Sequence, residues 1–332
     1  MMVGRLRGIV VVLIGVCAVG LGGCVAPRYG RPGEPLRRRG DEIVVCGQLV
    51  HSGAPVVLWL DPGGYDAYRA ECHFDPDQAM PTNPVSSAPT RYGSFRRHLP
   101  EDVAQQVRSE GWSLPLLTEW VDQFVIHYDA CGTSRRCFQV LHDLRGLSVH
   151  FMLDLDGTIY QTLDLKERAW HAGTANDRSI GIEIANIGAY ADTQTLDQWY
   201  ARDARGRTYV RFPEALAEPG LRIPDFVARP AGNDLICGEI NGRRLYQYDL
   251  TDAQYESLIK LTATLCRVLP GITAEYPRDN DGRLRTSVLT PEELEDYSGL
   301  LGHFHVTSEK VDPGPAFDWD RLMAGVRQIL GH

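Results

Sequence analysis

The 332-residue sequence has no CxxC pair, so a separate cysteine-built zinc site is not expected. It has no GxxxxGK[ST] phosphate loop, and nothing else in it points to a bound nucleotide. It also lacks an internal repeat and any excess of positive charge. Its 34 Lys and Arg stand against 43 Asp and Glu, and the net charge of −9 argues against nucleic acid as the main partner. The apolar run from Ile9 to Gly20 is too short for a comfortable membrane span. What is present is ordinary: 43% hydrophobic and 23% charged residues, the composition of a globular protein. A chain of this length fits one large domain with attachments, or two domains.

Arg5 and Arg7 precede the apolar run, and it ends in Leu21-Gly22-Gly23-Cys24. A positive start, a short apolar stretch and a small-residue end read as an export signal. The LGGC end resembles the lipobox of bacterial lipoproteins, in which the cysteine is lipidated and becomes the new N-terminus. On that reading residues 1–23 are signal peptide and Cys24 carries lipid. A plain secretory signal and an uncleaved anchor helix are the alternatives. Several acyl chains would hold the protein on a membrane, whereas one chain binds only marginally. Val25 follows the cysteine where an aspartate would signal inner-membrane retention. The expected location is therefore the outer membrane, facing the periplasm. Export also permits disulfides among Cys46, Cys72, Cys131, Cys137, Cys237 and Cys266. Spacing favours Cys131 with Cys137 and Cys46 with Cys72, with buried free thiols as the alternative.

Residues 24–40 are rich in Arg, Gly and Pro and read as a flexible tether. Residues 41–113 form an N-terminal extension that either packs on the main domain or stands as a small β module. Within it, Glu42–Val50 and Pro55–Leu60 read as the strands of one small hairpin, and Cys72–Tyr92 as loop. The main domain spans 114–332. Gln123–Tyr128 is a strand near whose end His127 sits, and Ser134–Leu144 has helical spacing. Val149–Leu153 and Thr158–Leu163 flank an Asp-Gly turn as a hairpin. In Ile180–Ala185, three isoleucines alternate with Gly181, Glu183 and Ala185, the pattern of a half-buried strand. Residues 189–249 are polar and Pro-rich, too long for a simple loop, and read as an insertion near the site. Thr251 with Gln254 fits a capping box opening a long helix. Leu300–Val306 reads as a final strand and Trp319–Leu330 as a closing helix. The fold class is α/β: a central mixed β-sheet flanked by helices, with a small β-containing N-terminal extension.

The stretch GHFHVTSEKVDPGPAFDW, Gly302–Trp319, concentrates the chemistry. It places His303, Lys310 and Asp312 within ten residues. Nitrogen plus carboxylate suits a zinc ion that needs a second nitrogen and an open position. His127, at the end of an apolar strand, can supply that nitrogen, and the combination points to a metal-dependent hydrolase. Each residue also has a plainer reading. His127 alone fits a satisfied half-buried histidine, Glu183 a cleft-edge charge, Lys310 a solvated lysine and Asp312 a turn cap before Pro313. His305 rivals His303, because the two would share one face of the expected strand.

Five segments in order carry a family resemblance: FVIHYDA, VHFMLDLDGTIYQTLD, RAWHAGTA, SIGIEIAN and GHFHVTSEKVDPGPAFDW. From about Leu114 to Leu330 the chain resembles the zinc-dependent N-acetylmuramoyl-L-alanine amidases of the type 2 family, relatives of the peptidoglycan recognition proteins. The resemblance implies a zinc ion (Zn2+) on His127, His303 and Asp312, a catalytic glutamate at Glu183 and a catalytic lysine at Lys310. Some relatives use a tyrosine where Val149 stands, which makes Glu183 the better base here. The Cys131–Cys137 pair resembles a disulfide of the recognition-protein relatives. Trp170 and His171 fall where the cleft wall would contact substrate. The implied partners are peptidoglycan or muropeptides, and the implied reaction is hydrolysis of the amide between N-acetylmuramic acid and L-alanine by zinc-activated water. The alternative is a non-catalytic protein that binds peptidoglycan in the same cleft.

Overall fold

Two short alternations decide which way the site faces. In Phe124-Val125-Ile126-His127 and Ile180-Gly181-Ile182-Glu183, every second side chain belongs to one face of a strand. Phe124, Ile126, Ile180, Ile182 and Ile184 are all fully buried in the main core. His127 and Glu183 are thereby turned to the opposite face.

The computed structural model describes residues 32–74, 91–93, 95–216 and 219–331. The signal segment, Cys24 and most of the loop expected over Cys72–Tyr92 lie outside the described residues. The chain divides into units Met1–Arg37 and Arg38–His332. In the first, residues 32–37 contain neither helix nor strand. No helix among the described residues is long and apolar enough to cross a membrane.

In the second unit, β1 (Glu42–Val45) and β2 (Gln48–His51) form an antiparallel hairpin. β3 (Val56–Leu58) leaves that hairpin for the main sheet. β4 (Tyr92–Gly93), α1 (Glu101–Glu110) and α2 (Leu114–Thr118) lead to β5 (Gln123–Tyr128). α3 (Ser134–Phe138) runs into a π-helical stretch, Gln139–Leu144. β6 (Phe151–Leu153) and β7 (Ile159–Gln161) form a hairpin. β8 (Arg168–Ala169) pairs with β4, and β9 (Ser179–Ile184) follows. Then come α4 (Gln194–Trp199) and the hairpins β10 (Tyr200–Arg202) with β11 (Thr208–Val210) and β12 (Ile236–Ile240) with β13 (Arg243–Gln247). The chain closes with α5 (Asp252–Val268), α6 (Pro291–Asp296), β14 (Gly299–Gly302), the helical turn α7 (His303–Val306) and α8 (Trp319–Leu330).

The central sheet has six strands in the order β14-β5-β9-β6-β7-β3. Its neighbours are parallel except β6 and β7, so the sheet is mixed as expected. α5 and α8 supply buried side chains such as Leu258, Leu261, Leu322 and Val326 to the core that contains the isoleucines of β9. Gly325 permits that packing, since a Cβ there would lie 2.5 Å from Ile259 Cδ1. The capping box of α5 forms, with Gln254 N 3.1 Å from Thr251 Oγ1 and Thr251 N 2.9 Å from Gln254 Oε1. Gln254 Nε2 also donates to Ala185 O at 2.8 Å, which ties the helix start to the end of β9.

Three sequence expectations change. The N-terminal hairpin is Glu42–Val45 with Gln48–His51, and Val56–Leu58 instead pairs parallel with β7. The tight turn at Cys46-Gly47, with both residues at positive φ, closes the hairpin early and frees the next apolar triplet for the sheet. Ser134–Leu144 is helical but changes from α to π at Gln139. The last strand ends at Gly302, and His303–Val306 turns into helix because Gly302 N donates to His305 Nδ1 at 2.9 Å.

Ile43, Val45, Val56, Val57 and Leu58 are all buried. Full burial of such side chains is worth about 1.5–3 kcal/mol each, so together they rival a typical total stability of about 5–15 kcal/mol. A chain beginning at Leu114 would lack them and would leave β7 as an open edge. It is expected to aggregate or lose its cooperative unfolding transition, as read by size-exclusion chromatography and circular dichroism. A folded monomer with the melting temperature of the full chain would contradict this role for residues 42–58.

Candidate metal centre

Parallel pairing sets the first two positions. His127 on β5 and Glu183 on β9 are register partners, so their side chains leave the same face at adjacent points. β14 runs beside β5 with Gly302 opposite Ile126, which delivers His303 next to His127. The irregular loop after α7 returns Asp312 to the same point, where Asp312 O accepts Phe304 N at 3.2 Å.

Three donor atoms converge. His127 Nδ1 lies 2.9 Å from Asp312 Oδ2 and 3.0 Å from His303 Nδ1, and His303 Nδ1 lies 3.0 Å from Asp312 Oδ2. All three residues are buried, with His127 only 1% exposed. The other ring nitrogen of His127 is 3.0 Å from His171 Nδ1, and His171 Nε2 is 3.3 Å from Ser179 Oγ. With a cation held in the triangle, His171 Nε2–H would donate to Ser179 and His127 Nε2–H to His171, which turns the lone pair of His127 Nδ1 toward that cation. Without one, the same Nδ1 carries the proton it donates to Asp312.

Two imidazole nitrogens and a carboxylate oxygen are a zinc donor set. Tetrahedral zinc with bonds of about 2.0–2.1 Å has ligand–ligand edges of about 3.3 Å, so this triangle need open by only a few tenths of an ångström. A second group, Asp41, Glu42 and His51, also brings donors together near the surface. Both Glu42 oxygens there already accept backbone N–H groups, from Arg39 and Gly40, and the internal triangle is the better fit.

The surroundings set the charges. Burial, followed by the neighbouring His303, holds His127 down to about 4 despite its Asp312 partner. Burial pushes the Asp312 carboxyl up, but hydrogen bonds from His127 and His303 outweigh it and hold the group well below the usual carboxylate range. Glu183 moves the other way. Burial and the negative charges of Asp312 and Asp129 raise it well above an ordinary glutamate, opposed by Lys310.

The triangle opens into a cleft of about 250 Å³ that also receives Glu183, Lys310, Trp170 and His171. The structure thus brings together His127, His303, Asp312, Glu183 and Lys310, five residues spread over 186 positions of the chain. His171 is more than a wall. Both of its ring nitrogens are engaged, and its ring lies against Gly181, where a Cβ would come within 2.5 Å of it. His305 is not a ligand: its Nδ1 accepts Gly302 N at 2.9 Å and its Nε2 lies 2.8 Å from Arg285 O. Cys131 and Cys137 are free thiols in this structure, Cys137 buried and Cys131 half-buried, so the disulfide expected between them is not formed here. Cys46 and Cys72 are free as well.

Asp129 was not singled out by sequence. It lines the cleft, and its Oδ1 accepts Cys131 N, Gly132 N and Asn186 N at 2.9, 2.9 and 3.1 Å. Burial pushes its carboxyl up to about 7 against those three N–H groups. Its position just past the histidine-bearing strand is the only signal sequence offered.

A family model described as N-acetylmuramoyl-L-alanine amidase matches residues 118–315. The 1,6-anhydro-N-acetylmuramyl-L-alanine amidase AmpD of Salmonella typhimurium is 26% identical over 180 residues, covering 54% of this chain and 56% of the relative. That of Enterobacter cloacae is 32% identical over 144 residues, covering 43% and 59%. The chain thus spans somewhat over half the length of the curated relatives it matches. Among solved structures, a complex of the N-acetylmuramyl-L-alanine amidase AmiD from E. coli with anhydro-N-acetylmuramic acid-L-Ala-D-gamma-Glu-L-Lys is 21% identical. It covers 62% of this chain and 57% of that chain, with a TM-score of 0.34.

The environment of His305 yields a pH prediction. Burial holds its imidazole down to about 3, so the folded state resists a proton that the unfolded state accepts near 6.5. Its contribution to stability is complete above about pH 6.5 and is lost as pH falls toward 3. His305→Gln should therefore flatten the dependence of unfolding free energy on pH around pH 5, by about 1.4 kcal/mol per pH unit. Urea titrations with chelator present at several pH values would measure this, and an unchanged slope would contradict it.

Proposed function

We propose an activity from the premise that the chain belongs to the N-acetylmuramoyl-L-alanine amidase family. It hydrolyses the amide that joins the lactyl group of N-acetylmuramic acid to the L-alanine of a stem peptide. The observation that carries this reading is the convergence of His127 Nδ1, His303 Nδ1 and Asp312 Oδ2 in a cleft that also receives Glu183 and Lys310. The names of the curated relatives favour anhydro-muramyl peptides as substrates.

His127, His303 and Asp312 would hold zinc, which when bound lowers the pKa of water and polarises a carbonyl. The chain's own residues do the rest. Glu183, made more basic by burial and by Asp312, takes a proton from the attacking water at its carboxylate. It returns that proton to the amide nitrogen as the C–N bond breaks, so the amine leaves neutral. Lys310 sets a positive charge toward the oxygen that gains negative charge in the tetrahedral transition state. His171 fixes the ring of His127 through its far nitrogen, the usual work of a group behind a metal ligand.

The cellular setting rests on sequence. LGGC supports lipid attachment at Cys24, and Val25 after it, in place of an aspartate, supports the outer membrane facing the periplasm over the inner one. Cys24→Ala should move the protein from the membrane fraction to the soluble fraction, and continued co-sedimentation with membranes would oppose the anchor.

Glu183→Gln should retain zinc by metal analysis while its turnover falls by about 10²–10⁴-fold. Asp312→Ala should lose both metal and turnover, and a chelator should silence the wild type. Mass spectrometry of digested muropeptides should show free stem peptide and the freed sugar. Near-normal turnover by Glu183→Gln would remove Glu183 as the base. Tight muropeptide binding without product release would replace catalysis with recognition.

A further inference from the structure

The loop from Thr307 to Asp318 carries Lys310 and Asp312 but contains no helix or strand. The backbone groups of such a segment need partners outside a regular ladder. Some come from the loop itself, from α7 and from Tyr255, as in Asp318 N to Tyr255 Oη at 2.8 Å. Several come from the hairpin β12–β13, which belongs to the stretch 189–249. At the hairpin tip, Asn241 Nδ2 donates to Phe304 O at 3.2 Å and to Lys310 O at 3.0 Å. Asn241 Oδ1 accepts Val288 N at 2.8 Å, so this amide is fully engaged. Beside it, Arg243 Nη2 donates to Ser308 O at 2.6 Å.

At the hairpin base, Gln247 is 1% exposed and grips the far side of the loop. Its Nε2 donates to Pro313 O at 3.0 Å, and its Oε1 accepts Ala316 N at 3.0 Å. The fit is close enough that a Cβ on Gly314, itself at φ +88°, would lie 2.1 Å from Gln247 Oε1. Gln247 Nε2 also reaches Asn186 Oδ1 at 3.4 Å, and Asn186 N donates to Asp129 Oδ1 at 3.1 Å. One buried amide therefore links the Asp312 loop to the segments that follow β9 and β5, the strands of Glu183 and His127.

We infer that the β12–β13 hairpin is a splint for the metal-site loop, with Asn241 and Gln247 as positioning residues that place Lys310 and Asp312 without touching substrate. The inference rests on the amidase reading of the site. It assigns the insertion to holding the site, and it separates two roles of Asn241. Asn241 and Gly242 form a two-residue Asn-Gly turn with φ of +50° and +70°, a local conformation that glycine also adopts. Glycine cannot supply the two donated hydrogen bonds or the one Asn241 Oδ1 accepts from Val288 N.

Asn241→Gly therefore tests the splint while sparing the turn. Its melting temperature should stay close to wild type. Zinc affinity, measured by chelator competition, should weaken on the order of tenfold, and kcat should fall by about 10–100-fold with KM little changed. Amide hydrogen exchange should rise over residues 303–316. Gln247→Leu removes both contacts to the loop without burying a charge, and where Asn241→Gly does not fold it should likewise weaken zinc affinity and raise exchange over residues 303–316. Either variant, folded, with wild-type zinc affinity and wild-type exchange in that loop, would overturn the splint. If the wild type itself releases no stem peptide, the amidase reading fails, yet the exchange measurement still scores the splint.

Discussion

The parallel register between β5 and β9 is the constraint from which the site follows. It sets His127 beside Glu183 on one face, while the isoleucines of β9 and Phe124 and Ile126 of β5 bury themselves on the other. Slipping either strand by one residue would send the histidine or the glutamate into the core beneath α5 and α8. The apolar side of the sheet therefore aims the polar side. Burying an unpaired carboxylate or imidazole there would cost several kcal/mol, a large share of a domain's stability.

Around that constraint, charge is balanced rather than absent. Asp312 stays ionised against its burial because two imidazoles hydrogen-bond to it, and Glu183 is raised first by its burial and then by Asp312 and Asp129. Their opposed shifts divide the labour: one group suited to holding a cation, the other to moving a proton. Asp129 adds a third carboxyl, occupied on one oxygen by backbone N–H groups and closing the loop after β5. Part of the cleft wall, Val140, Leu141, Arg145 and Leu147, comes from the helical stretch that follows and its end, so one continuous stretch from His127 to Leu147 supplies a ligand, a loop and a wall.

Much of this was legible in the residues. Alternation in Ile180–Ala185 assigned Glu183 to the face away from the isoleucines, and the capping pair Thr251 and Gln254 located α5. The residue types in GHFHVTSEKVDPGPAFDW pointed to a cation, and the order of five segments pointed to a family. Other features depended on pairing partners far away in the chain. Val56–Leu58 looked like half of a local hairpin because nothing nearby shows that β7 offers it an edge. His305 looked like a rival ligand because the strand was extended past Gly302, whereas in the fold its ring is held by Gly302 N at Nδ1 and by Arg285 O at Nε2.

By itself the sequence determined the kinds of donor, the faces of the strands and the ends of the long helices. These follow from local periodicity, capping and side-chain chemistry, which act over a few residues. The tertiary structure alone decided that three donors meet at about 3 Å, that His171 stands behind His127 and that a hairpin from the 189–249 stretch grips the Asp312 loop. Each of those depends on the separation of atoms between 9 and 185 residues apart in the chain. Only strand register and packing set such separations.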